Sequence, residues 1–436
     1  MEDNPSSASD ALAYRAKRSA FYEHIGHRWP GTLAEAYDVL DTMVVDRPEI
    51  DAIHSAASVV AKIYARVLRL LEQASAELLI VLGLTREIID VLAAAAPWSS
   101  FPLIARLDLV AVDGVYKLLE INCDAPGLLV ETFPINAATC EAESRVNPNA
   151  AGAARVARAY ADALRLALGN TAHGGANVVV AYSATALGDR DAATYLSGLL
   201  APFDIDARCE TLRSIRADAE DIFDSRGHAI DAIVNIFPMR YLLRGAISRA
   251  DGRPVRSDDW IQMLSRRRPA LLNPLSVCVL ESKAVQALIF ALYDAGEYFT
   301  EVERDGIARH MLPTSLQKSG NTPFVMKPAF GAGGDSVYVY DGKTRFMSAG
   351  NTCADDVKVF QRYVPLPRIS AMTEYGMMEL SVVASCFLVG TEPSGVVFRC
   401  GTGVTNNSWW VAPVGLPAAG DHRSWQAAGE QRSPPS

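Results

Sequence analysis

The sequence lacks the short motifs that mark the commonest nucleotide-dependent and hydrolytic enzymes. It contains no GxxxxGK[ST] loop, no GxGxxG after a strand, no HExxH and no GxSxG. Those absences exclude P-loop NTPases, Rossmann dehydrogenases, zincins and serine hydrolases of the usual kind. Cysteine is sparse: seven residues, odd in number and scattered from Cys123 to Cys400 without a CxxC pair, which points to reduced, mostly buried thiols. Of the seven histidines only His24 and His27 approach metal-ligand spacing, and they sit beside Arg28, as surface residues do. No long apolar run is free of charge. The most apolar stretch, Leu78 to Pro97, holds Arg86, Glu87 and Asp90, so no transmembrane segment is expected. Met1 to Asp10 has no apolar core and does not read as a secretory signal, which makes a cytoplasmic protein the expectation. Positive charge is also short: 41 Lys and Arg face 50 Asp and Glu, for a net charge of −9. Nucleic acid and anionic membranes are therefore disfavoured as partners, and basic residues should matter one at a time.

What is present is an ordinary globular composition, half hydrophobic and 21% charged, over 436 residues. That length corresponds to roughly three domain-sized units. Residues 1–95 read as a helical region, with apolar residues from Ile53 to Leu71 at three- and four-residue spacing and Pro48 in a first turn. Residues 96–175 open with a hairpin, Arg106 to Asn122, around Asp113-Gly114, and continue into a helix from Ala150 to Leu168. Residues 176–270 alternate strands and a helix in the manner of a small parallel α/β layer. Residues 271–416 contain a helix at Ser282 to Tyr293, a strand at Phe324 to Lys327, a glycine loop at Gly331 to Gly334 and the later strands SVVASCFLV and GVVFRC. Residues 417–436 are rich in Pro, Ser, Gly and charge, the composition of a disordered tail.

Three constellations carry chemistry. In the hairpin RLDLVAVDGVYKLLEIN, Arg106 and Asp108 share one strand face, as do Glu120 and Asn122. A two-residue loop at Asp113-Gly114 would put Asp108 and Glu120 on opposite faces. An odd, bulged loop with Gly114 in the left-handed position would unite all four, and the odd loop is expected. Two carboxylates and an amide oxygen beside a guanidinium suit Mg²⁺ and phosphate oxygens, whereas the alternative is a solvated polar face. The second constellation, PFVMKPAFGAGGDSVYV, ends an apolar strand on Lys327 and follows it with glycines whose N–H groups can approach an anion; the alternative is a plain hairpin loop. The third places Arg399 at the end of an apolar strand, near Thr402, Thr405 and Asn406, where a charge calls for an anionic partner or a structural ion pair.

In this order the segments resemble the synthetase domain of the glutathionylspermidine synthase family, a circularly permuted branch of the ATP-grasp ligases. The likeness covers most of residues 97–414. It rests on the R-x-D…E-x-N-x-D-x-P hairpin from Arg106 to Pro126, the Ser282-Lys283-Ala284 helix start, the Lys327-Pro328 glycine loop and the Glu392-Pro393-x-Gly395…Arg399 segment. The resemblance implies an α/β ATP-grasp fold with an inserted pre-ATP-grasp-like layer and an N-terminal helical region. It implies Asp108, Glu120 and Asn122 as Mg²⁺ ligands, and Arg106 and Arg399 as catalytic arginines. It further implies Lys283, Lys327, Gly331, Gly333 and Gly334 on the ATP phosphates, and Gln361 near the adenine pocket. Asp124 and Glu131 flank the expected site as candidates for an amine substrate. No amidase unit stands among the first ninety-five or so residues, and Ala125 and Gly127 replace hydroxyl residues frequent in the family. The implied reaction joins a small-molecule carboxylate to an amine through an acyl phosphate, with release of ADP and phosphate, on amino acids, peptides or specialised metabolites. Glutathione or a polyamine as substrate, a phosphotransferase and a catalytically silent nucleotide-binding scaffold are the competing readings.

Overall fold

Residues Arg47–Glu72 form the longest helix among the described residues, α1, because apolar positions repeat on one buried stripe from Ile50 through Ile53, Ala57, Val60, Tyr64 and Val67 to Leu71. Asp46 caps it by accepting the Glu49 N–H at 2.9 Å, and Pro48 occupies its first turn. The computed structural model describes residues 5–26, 40–95, 98, 101–169, 175–184, 187–218, 221–238, 242–249, 251–265, 269–318, 320–331, 333–348 and 357–418. The expected tail lies outside the described residues beyond residue 418.

The stripe of α1 packs on one face of a six-stranded antiparallel sheet. Its hairpin strands are β1 (Ile104–Val112) and β2 (Val115–Asn122), and its long strands are β5 (Gly376–Val389) and β6 (Glu392–Gly401). β5 is central. It pairs with β6 on one side and, on the other, with Arg368–Thr373 in its first half and β1 in its second. Alternation then sorts the side chains. Leu107, Leu109, Ala384, Cys386, Phe398 and Cys400 enter the core shared with α1. Arg106, Asp108, Ser385 and Arg399 occupy the alternate positions, on the opposite face.

The hairpin departs from expectation in one respect. The turn is the two-residue kind, with Val112 paired to Val115 and both Asp113 (φ 51°) and Gly114 (φ 75°) left-handed. The parity that the chemistry requires is restored further down. Leu109 faces Leu118 but Asp108 faces Glu120, so Leu119 is an extra residue, a β-bulge inside β2. Arg106 consequently pairs with Asn122, and all four polar residues share a face.

A second, five-stranded antiparallel sheet is built around β3 (Phe324–Pro328) and β4 (Lys358–Arg362), with Val325 opposite Gln361 and Lys327 opposite Val359. The alternating segment gives a four-stranded parallel sheet in the order Ala270–Leu272, Ala232–Asn235, Val178–Tyr182 and Ala207–Thr211. Three of its strands are almost wholly apolar, as burial on both faces demands, while the edge strand Ala207–Thr211 carries Arg208, Glu210 and Thr211. Helix α2 (Gly152–Leu168) packs against it and against β6. Asn273, just past its Ala270–Leu272 strand, donates to the carbonyls of Ile104 (2.9 Å) and Cys123 (2.8 Å), so the carboxyl edge of the parallel sheet abuts the polar end of the hairpin. A third helix of interest, α3 (Ala284–Ala295), starts directly after Lys283. Among the described residues no single helix is long and apolar enough to cross a membrane. Among the described residues six cysteines are free thiols, five of them buried.

Candidate active site

The six-stranded and five-stranded sheets face each other across a cavity of about 320 Å³. One end is apolar, lined by Val325, Val337, Val339, Met347 and the linker Tyr363 to Leu366 that carries the chain between the two sheets. The other end holds Asp108, Glu120, Lys283, Lys327 and the glycine loop. The loop is closed against the segment after β6. Gly334 (φ +75°) lies so near the Thr405 carbonyl that a Cβ there would overlap the oxygen, and a Cβ on Gly333 would come within 2.8 Å of the Asn407 amide.

Asp108 is the hub of the charged end. Arg106 grips it with two parallel bonds, Nε to Oδ1 at 2.9 Å and a terminal nitrogen to Oδ2 at 3.0 Å. Ser385 donates to Oδ1 at 2.7 Å, and Arg399 stands 3.7 Å from Oδ2. Burial by itself would raise the Asp108 carboxyl, but the two guanidiniums and the serine outweigh it and hold the group below the usual carboxylate range. Glu120 is also lowered: burial opposes ionisation, and Lys283, its ion-pair partner at 3.3 Å, and Lys327 overcome it. Lys283 in addition donates to the Gly331 carbonyl at 3.0 Å and so ties the start of α3 to the glycine loop. Lys327 is different. Burial pushes its ammonium down to about 8, with Lys283 adding to the effect and Glu120 opposing it.

The donor chemistry suits a hard divalent cation. Asp108, Glu120 and the Asn122 carboxamide, whose nitrogen lies 3.4 Å from Asp108, bring oxygens to one sheet face. Among the described residues no cluster of three or more His, Cys, Asp or Glu forms an all-protein cage. Two carboxylates beside lysine and arginine cations form the kind of site that could hold Mg²⁺ with substrate phosphates completing its shell.

Of the residues singled out in the sequence, Asp108, Glu120, Lys283, Lys327, Gly331, Gly333, Gly334 and Gln361 line the cavity. Arg106, Arg399 and Asn122 stand behind them and reach it through Asp108. Gln361 lies at the charged end, where its Oε1 accepts from Lys327 at 2.8 Å. Asp124 and Glu131 are buried and are not part of the cavity wall. Asp124 belongs to the loop that backs Arg106, which donates to the Gly127 carbonyl at 3.0 Å. The Cys123 and Asp124 amides donate to one Glu281 oxygen at 2.6 and 2.8 Å. Sequence reasoning passed over Ser385, Gln286, Glu281 and the Leu119 carbonyl. Ser385 was findable as a hydroxyl inside an apolar strand, on the parity that faces Asp108.

The sequence matches the glutathionylspermidine synthase preATP-grasp family model over residues 10–414. The chain belongs to that family. No curated protein matches it. Among solved structures, a glutathione synthetase-like effector from Globodera pallida, in its apo form, is similar with a TM-score of 0.58 at 11% identity, over 94% of this chain and 98% of that one. A gamma-glutamylcysteine synthetase candidate from Methylobacillus flagellatus KT matches over 81% of this chain and 85% of that one, at 11% identity and a TM-score of 0.42, too low to support an argument. The first likeness shows the fold, an α/β ATP-grasp arrangement, and glutathionylspermidine synthase membership makes the chain, at the coarse level, a ligase of the peptide and amide-forming kind.

Proposed function

We propose that the chain is an ATP- and Mg²⁺-dependent ligase that joins a small carboxylic acid to an amine through an acyl phosphate, releasing ADP and phosphate. The observation that carries the proposal is the polarity of the cavity: an apolar end of nucleobase character, and an end where Lys283 and Lys327, with Arg106 and Arg399 behind Asp108, outnumber Asp108, Glu120 and Asp335. That surplus of positive charge is what a phosphate chain with its metal would neutralise. In this reading the linker Tyr363 to Leu366 and the valines around it hold the base, while Lys283, Lys327 and the glycine-loop amides hold the phosphates. Asp108, Glu120 and Asn122 would hold Mg²⁺. When bound, the metal would neutralise phosphate charge and orient the transferred group. Arg106 and Arg399, fixed by Asp108, would stabilise charge on the phosphoryl group and then on the tetrahedral adduct. Closure of the glycine loop on Thr405 would keep water from the acyl phosphate. Asp124 and Glu131, buried behind the cavity wall, are not assigned to the amine.

The direct test is ADP release with MgATP over pairs of amino acids, small peptides and polyamines, with hydroxylamine as an acyl-phosphate trap and mass spectrometry of products. An amide product is expected. Hydroxamate without amide would favour the phosphotransferase, and MgATP binding without ADP across the panel would favour the silent scaffold.

A pH dependence follows from Lys327. In the free protein the ammonium loses its proton as pH rises through about 8, so kcat/KM for MgATP should fall above that value. Lys327→Arg should shift the alkaline limb upward by more than about one pH unit, since a guanidinium stays charged. Stability should move the other way. The unfolded lysine keeps its proton to roughly 10.4, so between those values the unfolded chain binds more protons and folding strengthens with pH.

A further inference from the structure

Lys327 is held by neutral groups alone. Its ammonium donates to Gln361 Oε1 at 2.8 Å and to the Leu119 carbonyl at 3.3 Å, and among the described residues it joins no ion pair. Lys283, beside it, is paired with Glu120. The neutral cradle extends further. Gln361 Nε2 donates to Gln286 Oε1 at 2.8 Å and to the Leu119 carbonyl at 3.2 Å, and Gln286 Nε2 donates to that carbonyl at 3.3 Å. Three side chains thus converge on one oxygen, that of the bulged residue, which the regular ladder does not claim. Both glutamines are buried, at 1% and 2% exposure. Their carboxamides cannot turn over without breaking the relay, because each nitrogen already has an acceptor and Gln361 must present its oxygen to Lys327.

We infer that Gln361 and Gln286 are positioning residues that aim the Lys327 ammonium at the nucleotide phosphates while leaving its charge unneutralised. A carboxylate in place of Gln361 would hold the lysine equally well but cancel its charge. A carboxamide fixes the direction and keeps the charge for an anionic ligand. Gln361 therefore acts on the phosphate end through Lys327, and Gln286, from the first turn of α3, sets the rotamer of Gln361.

The inference rests on the ATP-ligase reading, and a binding experiment separates the two. MgATP affinity of the full chain would be measured by calorimetry for wild type, Gln361→Met, Gln361→Glu, Lys327→Met and the double variant Gln361→Met with Lys327→Met, each checked for folding by thermal melting. Gln361→Met and Gln361→Glu should each weaken binding by about tenfold or more, the usual size of a hydrogen bond to a charged group. In the Lys327→Met background Gln361→Met should cost less than about twofold, because the route through Lys327 has been removed. A generic packing role would produce the same loss in both backgrounds and would overturn the inference, as would a Gln361→Glu variant that binds like wild type. Wild-type protein that failed to bind MgATP would overturn the ligase reading itself. If Gln361→Met does not fold, the isosteric Gln361→Glu carries the test through its own cycle with Lys327→Met.

Discussion

Replacing Asp108 by asparagine should lower ADP release by about a thousand-fold or more and cost about 3–5 kcal/mol of stability. The two effects have one cause. Asp108 is the common anion of Arg106 and Arg399 and is 2% exposed, so the neutral variant leaves a buried and a partly buried guanidinium facing an amide. It also removes one of the two carboxylates available to Mg²⁺. Glu120→Gln should be just as damaging to turnover but milder to the fold, since the Glu120 side chain is 28% exposed and its ion-pair partner Lys283 keeps the Gly331 carbonyl. ADP release and denaturant unfolding measured on both variants check the pair. Full turnover by either would mean that the hairpin is not the reaction centre. The acid side has a defined sign as well. The Asp108 pKa is depressed in the folded state, so its contribution is present above the ordinary carboxylate range and fades only as pH falls below it. That acid-labile increment should vanish in Asp108→Asn.

The second large effect is expected at Gly334. An alanine there would take on a left-handed backbone, at roughly 1–2 kcal/mol, and would drive its Cβ into the Thr405 carbonyl, a backbone group with little room to move. The glycine loop should stand off the Val404 to Asn407 segment. The expected result is a loss of about a hundredfold in kcat/KM for ATP, with a melting temperature close to that of wild type. ADP should also form without amide product, because an ajar loop admits water to the activated acid. Gly333→Ala meets only the side-chain amide of Asn407, which can rotate away, and should lose less. Initial rates and the ratio of ADP to amide settle the comparison. If Gly334→Ala were as active and as coupled as wild type, closure of this loop would have no part in the reaction.

Much of this was legible because it follows from periodicity. The stripe of α1, the parallel layer and the strands that end in Lys327 and Arg399 all appear at their expected places. The hairpin teaches a narrower lesson. Asp113-Gly114 obeys its local rule and makes a tight two-residue turn, while the shared face of Asp108 and Glu120 comes from an inserted residue whose identity announces nothing, a leucine among leucines. A bulge has no compositional mark unless it needs glycine. The same limit hid the Leu119 carbonyl, since backbone acceptors are invisible in a list of side chains. The resemblance put Gln361 near an adenine pocket; its bond to Lys327 was not legible, because a residue's neighbour on the adjoining strands cannot be read from its own strand.

The peptide joining Leu119 to Glu120 has a thermodynamic consequence. Its carbonyl accepts from Lys327 and both glutamines, and the Glu120 side chain that follows pairs with Lys283 on the face proposed for the metal. Two ligands that lean on opposite ends of one rigid amide plane do not bind independently. Whatever factor the nucleotide adds to the affinity for the metal, the metal must return to the nucleotide, so titrations run in either order should close a single cycle with the same coupling energy.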